Sequence, residues 1–539
     1  MKSLSHCLLA VLLMFSITVY ADDTALNNAL LQLKQSSVSN REQAIQQLMN
    51  SKHPRSVTVL QALLAGKLFI VKGQDKIVIA EENDQNYDAH DALNDAKLGM
   101  MPHDSLGKIT LTNKLRTELR KNIAELQLNA EDPAVRLIAV QDIAKETDSH
   151  LIELLTARLA VEKDDAVKLA INDILLIQRI DSTDKQLRIT AINRLKDRNN
   201  KDVLNKLKAI VEKDADGQYV EQDSDVRNTA EAALSQINSR LQLYSGVETV
   251  FFGLSLGAVL VLAAIGLAIT FGVMGVINMA HGELMMIGAY TTYVIQQLMP
   301  NYLGLSLILS IPAAFVISGL VGIAIERGII RFLYGRPLET LLATFGVSLF
   351  LQQTVRSIFS PLNRSVSTPE WMSGSWQINE FLSLTWNRFY IFIFCLMVFF
   401  ALLQILKHTS LGLEVRAVSQ NRRMAKAMGI PTARVDALTF GLGSGIAGVA
   451  GVALSQITNV GPNLGQSYIV DSFMVVVFGG VGNLLGTLVA GFSLGIANKF
   501  LEPFAGAVLA KILVLVFIIL FIQKRPRGLF PQKGRAADG

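Results

Sequence analysis

Two hydrophobic rhythms divide this chain. Up to about residue 243, apolar side chains recur at the three-to-four spacing of amphipathic helices, with charged residues between them. From residue 249 the apolar runs lengthen and shed their charges. Residues 249–271 form an uncharged run, long enough at 1.5 Å per residue to cross a hydrocarbon core of about 30 Å. Further runs at about 284–299, 303–325, 338–358, 389–406, 437–457, 469–499 and 507–522 predict a polytopic α-helical membrane domain of eight or nine spans. The 469–499 run is too long for one simple helix. Gly479-Gly480-Val481-Gly482-Asn483 interrupts it and predicts a tight hairpin at membrane level or two short helices.

The first half predicts a different object. Short acidic starts recur at Asp132-Pro133-Ala134-Val135-Arg136, Asp165-Ala166-Val167-Lys168, Asp184 to Arg188 and Asp225-Val226-Arg227. Each offers a capping Asp, an inward Val or Leu and a basic residue on the next turn, which resembles a helix start in HEAT-like repeats. An α-helical, HEAT-like domain over residues 22–243 is therefore expected, with one β-hairpin inserted at residues 67–80, where two β-rich runs flank Gly73-Gln74-Asp75. Such a domain docks protein or packs; His53, His90, His103 and His150 are scattered and polar-flanked, as surface residues are. Ahead of it, Lys2, an apolar run ending near Val19 and the small residues Val19 and Ala21 predict a signal peptide over 1–21, with cleavage before Asp22.

Composition agrees with a membrane protein, at 50% hydrophobic, 18% charged and a mean hydropathy of +0.36. The net charge of +5 conceals a split: residues 22–243 hold 30 Lys and Arg against 34 Asp and Glu, whereas residues 244–539 hold 19 against 11. The basic excess lies between apolar runs, so the positive-inside rule explains it and nucleic acid is not implied as a partner. An exported 22–243 domain puts the basic segments 326–336 and 407–436 and the tail, with Lys524, Arg525, Arg527, Lys533 and Arg535, on the inner side of a bacterial inner membrane. That parity requires the 479–483 interruption to turn on the inner side. The 360–388 loop, with Trp371, Trp376 and Trp386, then faces outward. Domain bounds follow as signal peptide 1–21, periplasmic helical domain 22–243, transmembrane domain 244–530 and cytoplasmic tail 531–539. Only Cys7 and Cys395 are present, too few for a disulfide framework or a Cys-based metal site.

Chemistry-bearing residues are sparse. Asn278, His281 and Glu283 sit in a glycine-broken stretch between two apolar runs, either on a solute pathway or in an inner connection just outside the bilayer. No second His stands one helical turn from His281, so no zinc motif forms. Residues 410–431 predict one basic helix, stopped by Gly429 and Pro431; it is a solvated loop or a docking helix. Gly441 to Gly451 places small residues at helical spacing, for close helix packing before solute contact. Ser444 lacks the frame of a nucleophile, and with no GxxxxGK[ST] in the chain, an ATP-driven step would belong to a partner. No catalytic residue, metal or cofactor is expected.

Three separated motifs carry a family resemblance: Gly275 to Tyr290, the 416–430 loop, and Gly479-Gly-Val-Gly-Asn-Leu-Leu-Gly-Thr487. Together, over about residues 246–530, they resemble the permease subunits of branched-chain amino acid and urea ABC importers. The resemblance implies a second permease subunit, two ATP-binding subunits and a periplasmic solute-binding protein, with alternating access driven by ATP. It makes 410–431 the ATPase-docking loop, with Glu414, Arg416, Arg422, Arg423 and Gly429 in a degenerate form of the usual pattern. The long N-terminal extension is similar to the long form of the urea permease, so urea or short amides are the expected cargo. Branched-chain amino acids are the alternative, and a membrane-anchored sensor the reading from another class.

Overall fold

A computed structural model describes residues 23–530 apart from 35–37, 52, 54, 75, 84–85 and 145–148. The expected signal peptide and tail residues Lys533 and Arg535 lie outside the described residues. The chain divides into two compact units between Gln236 and Ile237.

In the first unit, α1 (Asp23–Leu33), α2 (Val38–Asn50) and α3 (Ser56–Leu64) bury Leu26, Leu48 and Leu60. The hairpin follows as β1 (Leu68–Val71) and β2 (Ile77–Asn83), paired antiparallel, with Gly73 at φ +81° in the turn. The expectation of a lone hairpin is corrected: β3 (Asn86–Asp91), β4 (Lys97–Pro102) and β5 (Leu106–Lys108) complete an antiparallel sheet of order β4-β3-β2-β1-β5. These strands escape a hydrophobic reading because they bury few side chains; in β3 only Ala89 is buried. His90 lies in β3, and His103 stacks against Tyr87 at 4.3 Å.

Next come α4 (Asn113–Gln127), α5 (Pro133–Ile143), α6 (Ser149–Val161), α7 (Asp165–Arg179), α8 (Lys185–Leu195) and α9 (Lys201–Val211). Asp132 and Asp184 cap α5 and α8, whereas α7 is capped by Asp164, not Asp165. At the fourth start Asp223, not Asp225, accepts the amides of Asp225 and Val226. The basic residue four positions after three of these caps turns back: Arg136 donates to Ala130 O and Glu131 O, Arg188 to Ile180 O and Arg227 to Glu221 O. Two of the guanidiniums also find carboxylates, Arg136 on Glu162 and Arg188 on Glu221.

The 51-residue helix α10 (Ser224–Met274) begins in the first unit and ends in the second. The second unit continues with α11 (His281–Leu298), α12 (Leu303–Gly328), α13 (Pro337–Phe359), a β-hairpin of β6 (Ser375–Asn379) and β7 (Leu382–Thr385), and α14 (Trp386–His408). The expected single helix at 410–431 is two, α15 (Ser410–Gln420) and α16 (Arg422–Ala427). Asn421 at φ −153° breaks them and caps the second by accepting from Met424 N. Then follow α17 (Thr432–Ser455), α18 (Leu464–Gly479) and α19 (Leu484–Lys524).

Among the described residues, five helices, α10, α12, α14, α17 and α19, are long and apolar enough to cross a membrane, and α18 is a shorter apolar helix. The 469–499 run is therefore split by the residues 480–483. α19 also doubles back: Asn483 Nδ2 donates to Phe530 O at 3.2 Å, bringing its two ends together, and Gly506 at φ +76° supplies the bend. α17 is the centre of the unit, with 94% of its apolar window buried. Glycines let its backbone touch its neighbours. A Cβ on Gly448 would stand 2.5 Å from Ala314 O on α12, and one on Gly288 of α11 would stand 2.5 Å from Gly448 Cα.

Candidate functional site

Two places in the second unit collect the polar residues. At the first, α10 ends at Met274 and the backbone runs unwound through Gly275, at φ +67°, to the start of α11. Asn278 Oδ1 accepts from Ala280 N at 3.0 Å and so closes the turn. His281 Nε2 lies 2.8 Å from Ala263 O. A carbonyl oxygen only accepts, so Nε2 carries the hydrogen and Nδ1 is left as an acceptor. Glu283 Oε1 accepts from Ser348 Oγ at 3.0 Å. All three residues are within 1% of complete burial, and Asn278 Nδ2, His281 Nδ1 and Glu283 Oε2 have no hydrogen-bond partner among the described residues.

All three are closed to solvent but face different neighbours, Asn278 its own turn, His281 α10 and Glu283 α13, around one unwound segment. α13 holds it: Thr344 Oγ1 accepts from Met279 N at 3.1 Å, and Ser348 stands one helical turn further on. Both were passed over in the sequence, although a Thr and a Ser four apart on an apolar helix were the available signal. Gly266 makes room, since a Cβ there would stand 2.9 Å from His281 Cε1. A broken, polar backbone segment buried among apolar helices is tolerated only where protein or water satisfies it, and here protein satisfies most of it.

The second place is the α15–α16 platform. Gly429 at φ +88° ends it, with Gly429 N donating to Lys426 O and Ile430 N to Ala425 O. Its basic residues divide by environment. Arg422 forks onto both oxygens of Asp436, which is fully buried, and lies 4.5 Å over the Tyr334 ring; Tyr334 in turn donates to Glu326. That guanidinium is committed to its own chain. Arg416 is exposed and donates to Leu406 O, Glu414 is half-buried, and Arg423 is exposed. The platform also shows Leu413, Met424 and Met428 to solvent, each more than half exposed. Unlike charge, exposed apolar groups on a short basic helix leave no signal in a sequence, because only the fold decides which face is covered.

Comparison with known proteins bears on this architecture. The family model described as "Branched-chain amino acid transport system / permease component" matches residues 249–522, just over half of the chain. The chain belongs to this family. Among relatives, the high-affinity branched-chain amino acid transport system permease protein LivH of Escherichia coli is 31% identical over 293 residues, covering 52% of this chain and 94% of LivH. Its counterpart BraD of Pseudomonas aeruginosa is 28% identical over 298 residues, 53% of this chain and 96% of BraD. The ribose import permease protein RbsC of Bacillus subtilis is 29% identical over 138 residues, 23% of this chain and 43% of RbsC. No solved structure matches. Membership makes the chain a multi-pass transport subunit and not an enzyme; the family model leaves residues 1–248 unmatched.

Proposed function

We propose that this chain is one of two permease subunits of an ABC importer in a bacterial inner membrane, carrying branched-chain amino acids inward. The observation that carries this reading is the family match over 249–522, in a chain that spans nearly the whole length of LivH and BraD. Nine passes fit the elements, in the order α10, α11, α12, α13, α14, α17, α18 and the two arms of α19. With the first unit in the periplasm, this count leaves the α15–α16 platform and the chain end on the inner side, where the basic residues concentrate.

On that side Leu413, Arg423, Met424 and Met428 form the face offered to an ATP-binding subunit, since ATP must be handled by partners. A periplasmic binding protein delivers the solute, and a second permease completes the passage. Asn278, His281 and Glu283 hold the unwound 275–280 segment and act on the pathway through its position. Urea or a short amide is the second reading, carried by the long N-terminal unit alone. Uptake of labelled leucine and of labelled urea in cells with this chain deleted and restored tests both. Loss and rescue of leucine uptake is the expected result, and loss of urea uptake alone would overturn it.

A further inference from the structure

A polar solute needs a wet wall to pass, and α18 and α19 are almost wholly apolar outside. Two ion pairs break that surface. Lys511 Nζ on the second arm of α19 lies 3.1 Å from Asp471 Oδ2 on α18, with the Asp side chain 11% exposed and the Lys side chain 53% exposed. At 1.5 Å per residue, Asp471 stands about 12 Å from the end of α18 at Gly479, and Lys511 about 20 Å from Lys524. From the opposite ends, Asp471 is about 10 Å from the start of α18 at Leu464 and Lys511 about 7 Å from the Gly506 bend, so within a core of about 30 Å Asp471 lies near mid-depth and Lys511 toward the outer side. On the first arm of α19, Lys499 Nζ pairs with Glu502 Oε2 at 2.6 Å, and the side chain of Asn498, itself 8% exposed, has an Oδ1 without a hydrogen-bond partner.

Charges at membrane depth are disfavoured against lipid and face protein or water. Lys511 does not stretch toward an interface; it turns to Asp471 and leaves half of its side chain uncovered. We propose that the face of α18 and α19 bearing Asp471 and Lys511 borders the water-filled translocation path, opposite the second permease subunit, and presents one charge of each sign to a zwitterionic solute. This rests on the importer reading above.

The test compares neighbouring positions at one depth. Val508 and Leu515 share the helical face of Lys511, whereas Leu509 and Val516 point roughly 150° away at 100° per residue. Single cysteines are placed at each position in a full complex with Cys7 and Cys395 replaced by Ser, and treated with a membrane-impermeant thiol reagent. Labelling of Val508→Cys and Leu515→Cys at least tenfold faster than Leu509→Cys and Val516→Cys, slowed by added leucine, is the expected result. Equal rates, or faster labelling of the second pair, overturn the proposal. In parallel, Asp471→Asn with Lys511→Met should lower leucine uptake about tenfold in an assembled complex; uptake within twofold of the parent overturns it. If the double variant fails to assemble, the labelling arm decides. A parent complex that takes up urea and not leucine counts against the importer's proposed cargo, while the labelling contrast reads the pathway wall by itself.

Discussion

The glycine crossings allow a demanding test of the fold, in which one methyl group is added. In Gly288→Ala the new Cβ stands 2.5 Å from both the carbonyl carbon and Cα of Gly448, and closer still to the oxygen. Ordinary contact starts at 3.4 Å, so α11 and α17 must part by about 1 Å. No side chain can swing aside, because the obstacle is backbone. A gap of that size forfeits a quarter to a half of the dispersion energy at each lining contact, and overpacking of this kind costs about 3 kcal/mol. Gly346→Ala on α13 is the control: nothing lies within 4 Å of its Cβ, and Ala favours a helix over Gly by up to about 1 kcal/mol. The assay is thermal unfolding of the purified chain by tryptophan fluorescence, which reports on the second unit because Trp371, Trp376 and Trp386 all lie there. Gly288→Ala should melt roughly 5 °C or more below the parent and Gly346→Ala at or above it. Equal melting of the two variants would refute the close-contact reading.

The first unit should lose stability in acid. Hydrogen bonding from Arg136 foremost, opposed by burial and helped by the Asp164 and Lys163 amides and by Arg158, holds the Glu162 carboxyl well below the usual range. Its stabilising contribution is thus complete above an ordinary carboxyl pKa of about 4.3 and is lost as pH falls below that toward the depressed value. Protection factors for amide exchange in α5 and α6, corrected for the intrinsic rate at each pH, should fall on acidification from about pH 5, and Glu162→Gln should flatten that dependence; an unchanged slope would count against the pair. Arg422→Gln should cost about 3 kcal/mol by stranding buried Asp436, seen as a lower melting temperature, whereas Arg423→Gln should leave melting unchanged. Met424→Glu with Met428→Glu should cut co-purification of the ATP-binding subunits severalfold while the chain still inserts; undiminished co-purification would remove these residues from the docking face.

What the sequence disclosed and what it withheld follow from range. The Gly479–Asn483 interruption and the Gly429 stop were legible because glycine at positive φ is a local requirement, met at Gly480, Gly482 and Gly429. The capping Asp residues were legible for the same reason, although runs such as Asp164-Asp165 and Asp223 to Asp225 offered two candidates and the nearer one was chosen wrongly. The β-rich runs flanking Gly73 marked β1 and β2, which bury Leu68, Phe69, Val71, Ile77, Val78 and Ala80, but not β3 to β5, where Ala89 and Leu106 are the buried side chains. The break at Asn421 has a local signal, since Asn is a weak helix former and a preferred N-cap, but the basic run on both sides reads as one helix; the fork of Arg422 onto Asp436 holds α16 against α17.

Partnerships across the fold explain the rest. Arg416, Arg422 and Arg423 look alike as a basic run, yet one donates to Leu406 O, one is spent on a buried carboxylate and one is exposed. Only the three-dimensional placement separates them, and it moves the proposed docking chemistry from charge toward Leu413, Met424 and Met428. The same logic applies to Asp471 and Lys511, forty positions apart in apolar helices. Each alone is an anomaly of composition, but joined at 3.1 Å with the Lys half uncovered they mark the face proposed to border water. Asn278, His281 and Glu283 stand out as polar residues between two apolar runs, and the structure buries them inside the chain. Buried polarity of this kind fixes a backbone break in place, whereas half-exposed polarity has to meet water, and that difference separates the residues proposed to shape the pathway from those proposed to line it.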